Sequence, residues 1–314
     1  MHENNFSLKT EIAIIGAGPA GLAAGIYGAQ DNADFLLIDN KEGCWFFKES
    51  VNSHYYVDGY TGIDTKTTGS KLQNKFLNHY QRLGGKFLRE KVVKVNKNED
   101  SFIIETENNN ISARAIILAS GTVPIPLKIN NSDQFTKNIH YYCTLDGEKY
   151  IGKNVVVVGG RNSGAVTAIY LHDIGCKVTL IELKNKLQAK DKYLQRIKER
   201  NIKILTNVEL IGLNGEKELS NVTLRSVDLD QTTNLPTRAV FVCIGRLPNI
   251  DFLNFKLTSD KDNYLIVDCF NRTSIPGVFA AGDITCKVKQ IISACGDGAN
   301  AYYFVKKFLE NPGW

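Results

Sequence analysis

The sequence predicts an α/β chain of two Rossmann-like, three-layer domains, and three observations carry that prediction. A strand–glycine–helix–strand pattern occurs twice, once near residue 12 and again near residue 155. The 314 residues are enough for two separate hydrophobic cores. The remaining segments alternate short apolar runs with helix-spaced ones, as layered α/β domains do.

The first pattern reads "EIAIIGAGPAGLAAGIYGAQDNADFLLIDN". Ile12 to Ile15 form an apolar strand that runs into Gly16, Gly18 and Gly21 and then a small-residue helix. Gly16 serves the tight turn, Gly18 lets a pyrophosphate approach the backbone, and Gly21 allows close helix–strand packing. The strand "FLLI" ends at Asp39, placed to accept hydrogen bonds from an adenosine ribose. The second pattern reads "NVVVVGGRNSGAVTAIYLHDIGCKVTLIE". Val155 to Val158 form its strand, Gly159 makes the turn, Gly164 takes the packing place, and "KVTLI" ends at Glu182. Arg161 replaces the middle glycine, where it would either crowd a pyrophosphate or hydrogen-bond to it.

Between the two, "GSKLQNKFLNHYQRLGG" has helical spacing, and "KVVKV", "SFIIET" and "ARAIILAS" read as strands. "VTLRSV" and "AVFVCIG" are further strands, and a last helix is expected from about Asp297 to Leu309. No repeat exists beyond the duplicated pattern.

Composition excludes several classes. Residues are 43% hydrophobic and 23% charged, and 38 basic against 33 acidic side chains give a net charge of +5. The Lys-rich run "LKNKLQAKDKYLQRIKER" has interleaved acids and reads as a solvated helix face, so no nucleic-acid partner is expected. No apolar run reaches 18 residues and no secretory leader is visible, so a cytoplasmic protein without a membrane span is expected. The seven cysteines, at 44, 143, 176, 243, 269, 286 and 295, contain no CxxC. His54, His79, His140 and His172 lack ligand spacing, so no metal is expected.

Four ordered segments, "ILASGTVP", "FVCIGRLPN", "GVFAAGDI" and "KQIISACGDGANA", together with the two glycine patterns, resemble the two-dinucleotide-binding-domain flavoproteins of the thioredoxin reductase-like group. The likeness spans nearly the whole chain. It implies a discontinuous FAD domain, residues 1–118 and 248–314, with an NAD(P) domain inserted at 119–247. It implies FAD bound through Gly16, Gly18, Gly21 and Asp39, with Ser120 and Gly121 beside the flavin and Asp283 on the ribityl chain. Gln290 and the backbone of Asp297, Gly298 and Ala299, taken as a helix N-terminus, would approach the pyrimidine edge of the ring. Gly159, Gly164 and Glu182 would hold NAD(P)H. A homodimer is implied, as is a flavin-dependent oxidoreductase.

The departures from that group direct the functional reading. Its dithiol segment, aligned on Asp146 and Gly147, reads Tyr142, Cys143, Thr144, Leu145 here. Tyr142 and Leu145 stand where two redox cysteines belong, and Cys143 falls between them. Cys44, in "EGCWFF", and Cys295, in the "SACGDG" loop, are the flavin-proximal cysteines the resemblance implies, with Cys143 and Cys44 the weak candidates for a catalytic cysteine, and Trp45, Phe46, Tyr55, Tyr56 and Tyr60 imply aromatic groups near the ring. The basic cluster that grips the NADPH 2′-phosphate reads Glu182, Leu183, Lys184, Asn185, which favours NADH. The expected activity is electron transfer from NAD(P)H through FAD directly to an acceptor: a ferredoxin, a flavodoxin, a quinone, a small disulfide or oxygen. The alternatives are a thioredoxin or small-disulfide reductase using an unusual cysteine, and a ferredoxin-linked or non-catalytic flavin-binding protein with a degenerate NAD(P) site.

Overall fold

The computed structural model describes residues 8–40, 56–57 and 59–311. Two compact units divide between Val123 and Pro124 and between Arg246 and Leu247. The first division lies a few residues beyond Leu118. The chain crosses there in two short strands, β7 (Thr122–Pro124) and β16 (Arg246–Pro248), which pair with each other.

The discontinuous unit is built on a seven-stranded sheet. Its strands are β1 (Leu8–Ile15), β2 (Phe35–Ile38), β3 (Phe87–Leu88), β4 (Val92–Lys97), β5 (Phe102–Thr106), β6 (Asn110–Leu118) and β17 (Val278–Ala280). The order is β3-β2-β1-β6-β5-β4, with β17 also on β6. β1, β2, β6 and β17 run parallel and end in register, Ile15 beside Ile38 and Leu118, and Leu118 beside Ala280. Both faces of β1 are buried, which is why it reads as a continuous apolar run. Ile12 and Ile14 face one core together with Leu37, Ile117 and Phe279. Ala13 and Ile15 face the other with Ile38, Ile116 and Leu118.

Helices α1 (Pro19–Gln30) and α2 (Gly69–Arg82) follow β1 and β2. The last helix corrects an expectation: it runs from Ile291 to Glu310 with Gln290 as its N-cap. Asp297, Gly298 and Ala299 therefore lie in its second and third turns, not at its N-terminus. "CGDG" looked like a turn because two glycines disfavour helix interiors. Gly298 is there for a different reason, since a Cβ on it would fall 2.0 Å from the Ala20 carbonyl oxygen of α1. Close packing overrides the local preference.

The continuous unit has a five-stranded sheet of order β11-β10-β9-β15-β8. Its strands are β8 (Ile139–His140), β9 (Asn154–Val158), β10 (Lys177–Ile181), β11 (Lys203–Leu205) and β15 (Ala239–Val242), all parallel. A three-stranded antiparallel sheet, β12 (Val208–Asn214), β13 (Asn221–Ser226) and β14 (Thr232–Pro236), packs Leu210, Leu213 and Val222 against Val156, Val240 and Val242. Its helices are α3 (Cys143–Asp146), α4 (Asn162–Asp173) and α5 (Asp191–Glu199). The helix Ile291–Glu310 is α6.

Candidate functional site

In the discontinuous unit the predicted residues gather at the carboxyl ends of the parallel strands, where open α/β sheets bind ligands. Gly16 follows β1 at φ +105°, and a Cβ there would lie 2.4 Å from the Ala119 oxygen. Gly21 passes so close to Gly16 that a Cβ would fall 1.8 Å from the Gly16 oxygen. Gly18 is the N-cap of α1, which has no side-chain cap and no acid in its first turn. Its first N–H groups are thus open to an anion. Asp39 follows β2 and accepts a 2.6 Å hydrogen bond from the Ala17 amide.

Ser120 and Gly121 follow β6. The Ser120 hydroxyl donates to the Asn249 oxygen at 2.7 Å, and the Asn249 amide donates to the Gly121 oxygen at 2.9 Å. Asp283 follows β17 in a short 3-10 turn, Gly282–Ile284. Asp297 faces that turn from α6: its carboxylate accepts from the Gly282 amide at 3.4 Å and from Lys287 Nζ at 3.1 Å. The N-terminal end of α6 belongs to Gln290, whose side-chain oxygen would sit 3.3 Å from a Cβ on Gly59. The Asn249 tether and the Lys287–Asp297 pair were not foreseen, because neither partner is marked by spacing.

The continuous unit repeats this geometry. Gly159 has φ +111° and room for no Cβ, the Cys243 oxygen being 2.4 Å from that position. A Cβ on Gly164 would fall 1.7 Å from the Gly159 oxygen. Arg161 caps α4 at φ −87°, ψ −175°, against φ −75°, ψ −172° for Gly18. Glu182 mirrors Asp39: it accepts from the Gly160 amide at 2.5 Å and from the Lys184 amide at 2.9 Å. The following loop is tied down by Gln188 N–H to the Gly160 oxygen at 2.8 Å and by Lys190 N–H to the Asn162 side chain at 2.9 Å.

The six described cysteines are free thiols; Cys44 lies outside the described residues, with Trp45, Phe46, His54 and Tyr55. Cys143 opens the short helix α3 and is only 5% exposed, whereas Leu145 is 54% exposed. Burial pushes the Cys176 and Cys295 thiols up to about 11, so neither is a thiolate at neutral pH. Asp146 is held by His140 Nδ1 at 3.1 Å and by Lys149 at 2.6 Å, and His140 Nε2 meets the Tyr150 hydroxyl at 2.8 Å. His140 is thus a buried histidine with a partner on each nitrogen. Among the described residues no group of three or more acids, cysteines and histidines is gathered as for a metal ion. No helix among them is long and apolar enough to cross a membrane.

Residues 10–298 match the pyridine nucleotide-disulphide oxidoreductase family. The chain belongs to that family. It is 32% identical over 306 residues to a 34.2 kDa protein in the rubredoxin operon of Clostridium pasteurianum, covering 96% of this chain and 97% of that one. It is 30% identical over 309 residues to the thioredoxin reductase of Peptoclostridium acidaminophilum, covering 96% and 97%. The crystal structure of T. acidophilum thioredoxin reductase superposes with a TM-score of 0.86 at 31% identity, covering 96% of this chain and 99% of that one. The chain is therefore a thioredoxin reductase-like, flavin-dependent oxidoreductase, of a group that uses FAD and NAD(P)H.

Proposed function

We propose that this oxidoreductase takes electrons from NADH and delivers them from FAD directly to an external acceptor, with no cysteine relay. The observation that carries this reading is the segment 142–145. It supplies one sulfur, Cys143, which is buried, where a dithiol relay needs two sulfurs within bonding reach.

The residues of the discontinuous unit suit FAD. Positions 16 and 21 exclude any side chain, α1 presents uncapped N–H groups, and Asp39 stands at the strand end. The turn at Gly16, Gly18 and Gly21 would hold the pyrophosphate, and Asp39 the ribose diol. Ser120 and Gly121 would border the flavin, with Asp283 on its ribityl chain. Gln290 and the first turn of α6 would face the pyrimidine edge, where a helix N-terminus stabilises negative charge. Asp297 would instead brace the 282–284 turn. When bound there, FAD would supply a hydride-accepting ring that passes electrons on to an acceptor. In the continuous unit, Gly159 and Gly164 would admit the dinucleotide to the N-terminus of α4, and the Glu182 carboxylate would accept from its free ribose diol. The same carboxylate repels a 2′-phosphate, which supports NADH over NADPH. A cytoplasmic homodimer belongs to the same proposal.

Anaerobic mixing of the yellow protein with NADH and, separately, NADPH tests it. Faster flavin bleaching by NADH is expected. No bleaching by either nucleotide, with dithionite still reducing the flavin, would overturn it in favour of another donor. A thioredoxin or small-disulfide reductase remains the second reading, supported by the relatives of that name; NADH-dependent reduction of a protein disulfide would establish it.

A further inference from the structure

A cleft of about 830 Å³ opens in the discontinuous unit between the turn at residues 60–63 and one face of α2. That volume is in the range of small-molecule sites, roughly 300–1,000 Å³. Its apolar lining is Leu72, Phe76 and Tyr60, the two rings tilted 58° to one another with centroids 5.6 Å apart. Its polar lining sets three basic side chains beside the neutral Asn78 and Gln81. Lys75, His79 and Arg82 are spaced i, i+4 and i+7, so a single helix face presents all three to the cleft. Asp64 approaches Lys75 at 3.8 Å, but both side chains are mostly exposed and such a pair is weak. Among the described residues His79 and Arg82 form no ion pair.

One end of the cleft leads towards α6. The Tyr60 hydroxyl lies near the Cys295 thiol, and Cys295 lies in the second turn of that helix. Gly59, beside Tyr60, lies against the Gln290 carboxamide at the N-cap.

We propose that this cleft binds a planar aromatic anion, its ring against Tyr60 and Phe76 and its acid group on Lys75, His79 and Arg82. Aromatic side chains stack flat ligands, and the Lys75 ammonium and Arg82 guanidinium, with the His79 imidazole as a further polar contact, select an acidic substituent over a neutral one. That the ligand is the electron acceptor rests on the flavin reading above; its binding does not.

The test is equilibrium dialysis of the FAD-loaded, oxidised protein with anthraquinone-2-sulfonate, without nucleotide. Saturable binding at one site is expected. Arg82→Gln and Lys75→Gln should each weaken it about tenfold, Arg82→Lys should retain most of it, and neutral 2-(hydroxymethyl)anthraquinone should respond to none of the three. Flavin content and melting temperature report whether each variant is folded, and Lys75→Gln serves if Arg82→Gln is not. No saturable binding by the wild type, or binding indifferent to the charge changes, would overturn the proposal. Flavin bleaching by NADH is measured on the wild type in parallel. Charge-dependent binding without bleaching leaves the cleft standing and removes the nucleotide reading.

Discussion

Replacing Glu182 with glutamine tests the interaction proposed to set nucleotide choice. The carboxylate follows β10 and is held by the Gly160 and Lys184 amides at 2.5 and 2.9 Å. A ribose seated over the glycine turn would bring a 2′-phosphate to about 6 Å from this charge. A dianion and a carboxylate at that separation repel by about 3 kcal/mol at an effective dielectric of about 40. Salt screening trims this to about 2 kcal/mol, or roughly thirtyfold in relative specificity. Glutamine also loses the charged acceptor for the ribose diol, at about 1.5–3 kcal/mol. The carboxamide keeps one acceptor oxygen, so one of the Gly160 and Lys184 amides loses its partner. The assay is the rate of anaerobic flavin reduction across concentrations of NADH and NADPH, for wild type and variant. The NADH specificity constant should fall about tenfold and that for NADPH rise about thirtyfold, so the NADH-to-NADPH preference should fall about three-hundredfold. Flavin content should hold, because Glu182 and the candidate FAD residues belong to different units. A preference that moves less than about threefold would refute the placement of Glu182 against the ribose.

Three further expectations follow from the same geometry. Cys143→Ala should leave NADH-dependent acceptor reduction within about twofold of wild type, since a buried sulfur without a second one carries no relay; a loss of turnover beyond about tenfold would restore a cysteine mechanism. Gly298→Ala places a methyl 2.0 Å from the Ala20 oxygen and must push α1 from α6. A cost of about 1–3 kcal/mol is expected, read as a lower melting temperature and a lower flavin-to-protein ratio. Burial lowers the His140 pKa below the ordinary value of 6.5, against the opposing pull of Asp146. The unfolded chain therefore binds the proton more readily than the folded one. This group's contribution to stability is present above about pH 6.5 and falls away as pH drops through the lower folded value. Denaturant midpoints of wild type and His140→Phe between pH 5 and 8 check this, the variant showing the shallower acid loss.

What was legible in the sequence was whatever the backbone itself demands. Gly16 and Gly159 are required by the positive φ of their own turns, and Gly21 and Gly164 by the carbonyls of those same turns, so their spacing announces both turns without any knowledge of the rest of the fold. The acids at 39 and 182 were legible for the same reason, standing one residue past an apolar strand. The start of α6 was not. Gln290 carries no side-chain cap, and Gly296 and Gly298 suggest a break. The reason Gly298 is tolerated, the Ala20 backbone, is 278 positions away in sequence. The Asn249 tether of Ser120 was hidden likewise, since a main-chain oxygen leaves no mark in residue identity. In α2, the spacing of Lys75, His79 and Arg82 is visible, but helical amphipathicity alone does not separate a ligand-facing stripe from a solvated one.

The two glycine turns show which substitutions bear on fold and which on function. Gly18 and Arg161 adopt nearly the same extended backbone, a conformation open to any residue. Arginine at 161 therefore costs the turn nothing; Gly159 and Gly164, the positions where a side chain cannot fit, are kept. Glu182 also stays on the Gly160 amide just as Asp39 stays on that of Ala17. What differs at 161 is the exposed guanidinium at the N-terminus of α4, a charge complementary to a pyrophosphate and placed outside the backbone path. The same physics separates the two halves of the departure from the thioredoxin reductases. The nucleotide turn retains every element that its geometry requires, whereas the segment at 142–145 has lost the one element, a second sulfur, that a relay cannot do without. Electron entry through the continuous unit and exit without a dithiol is the combination consistent with both.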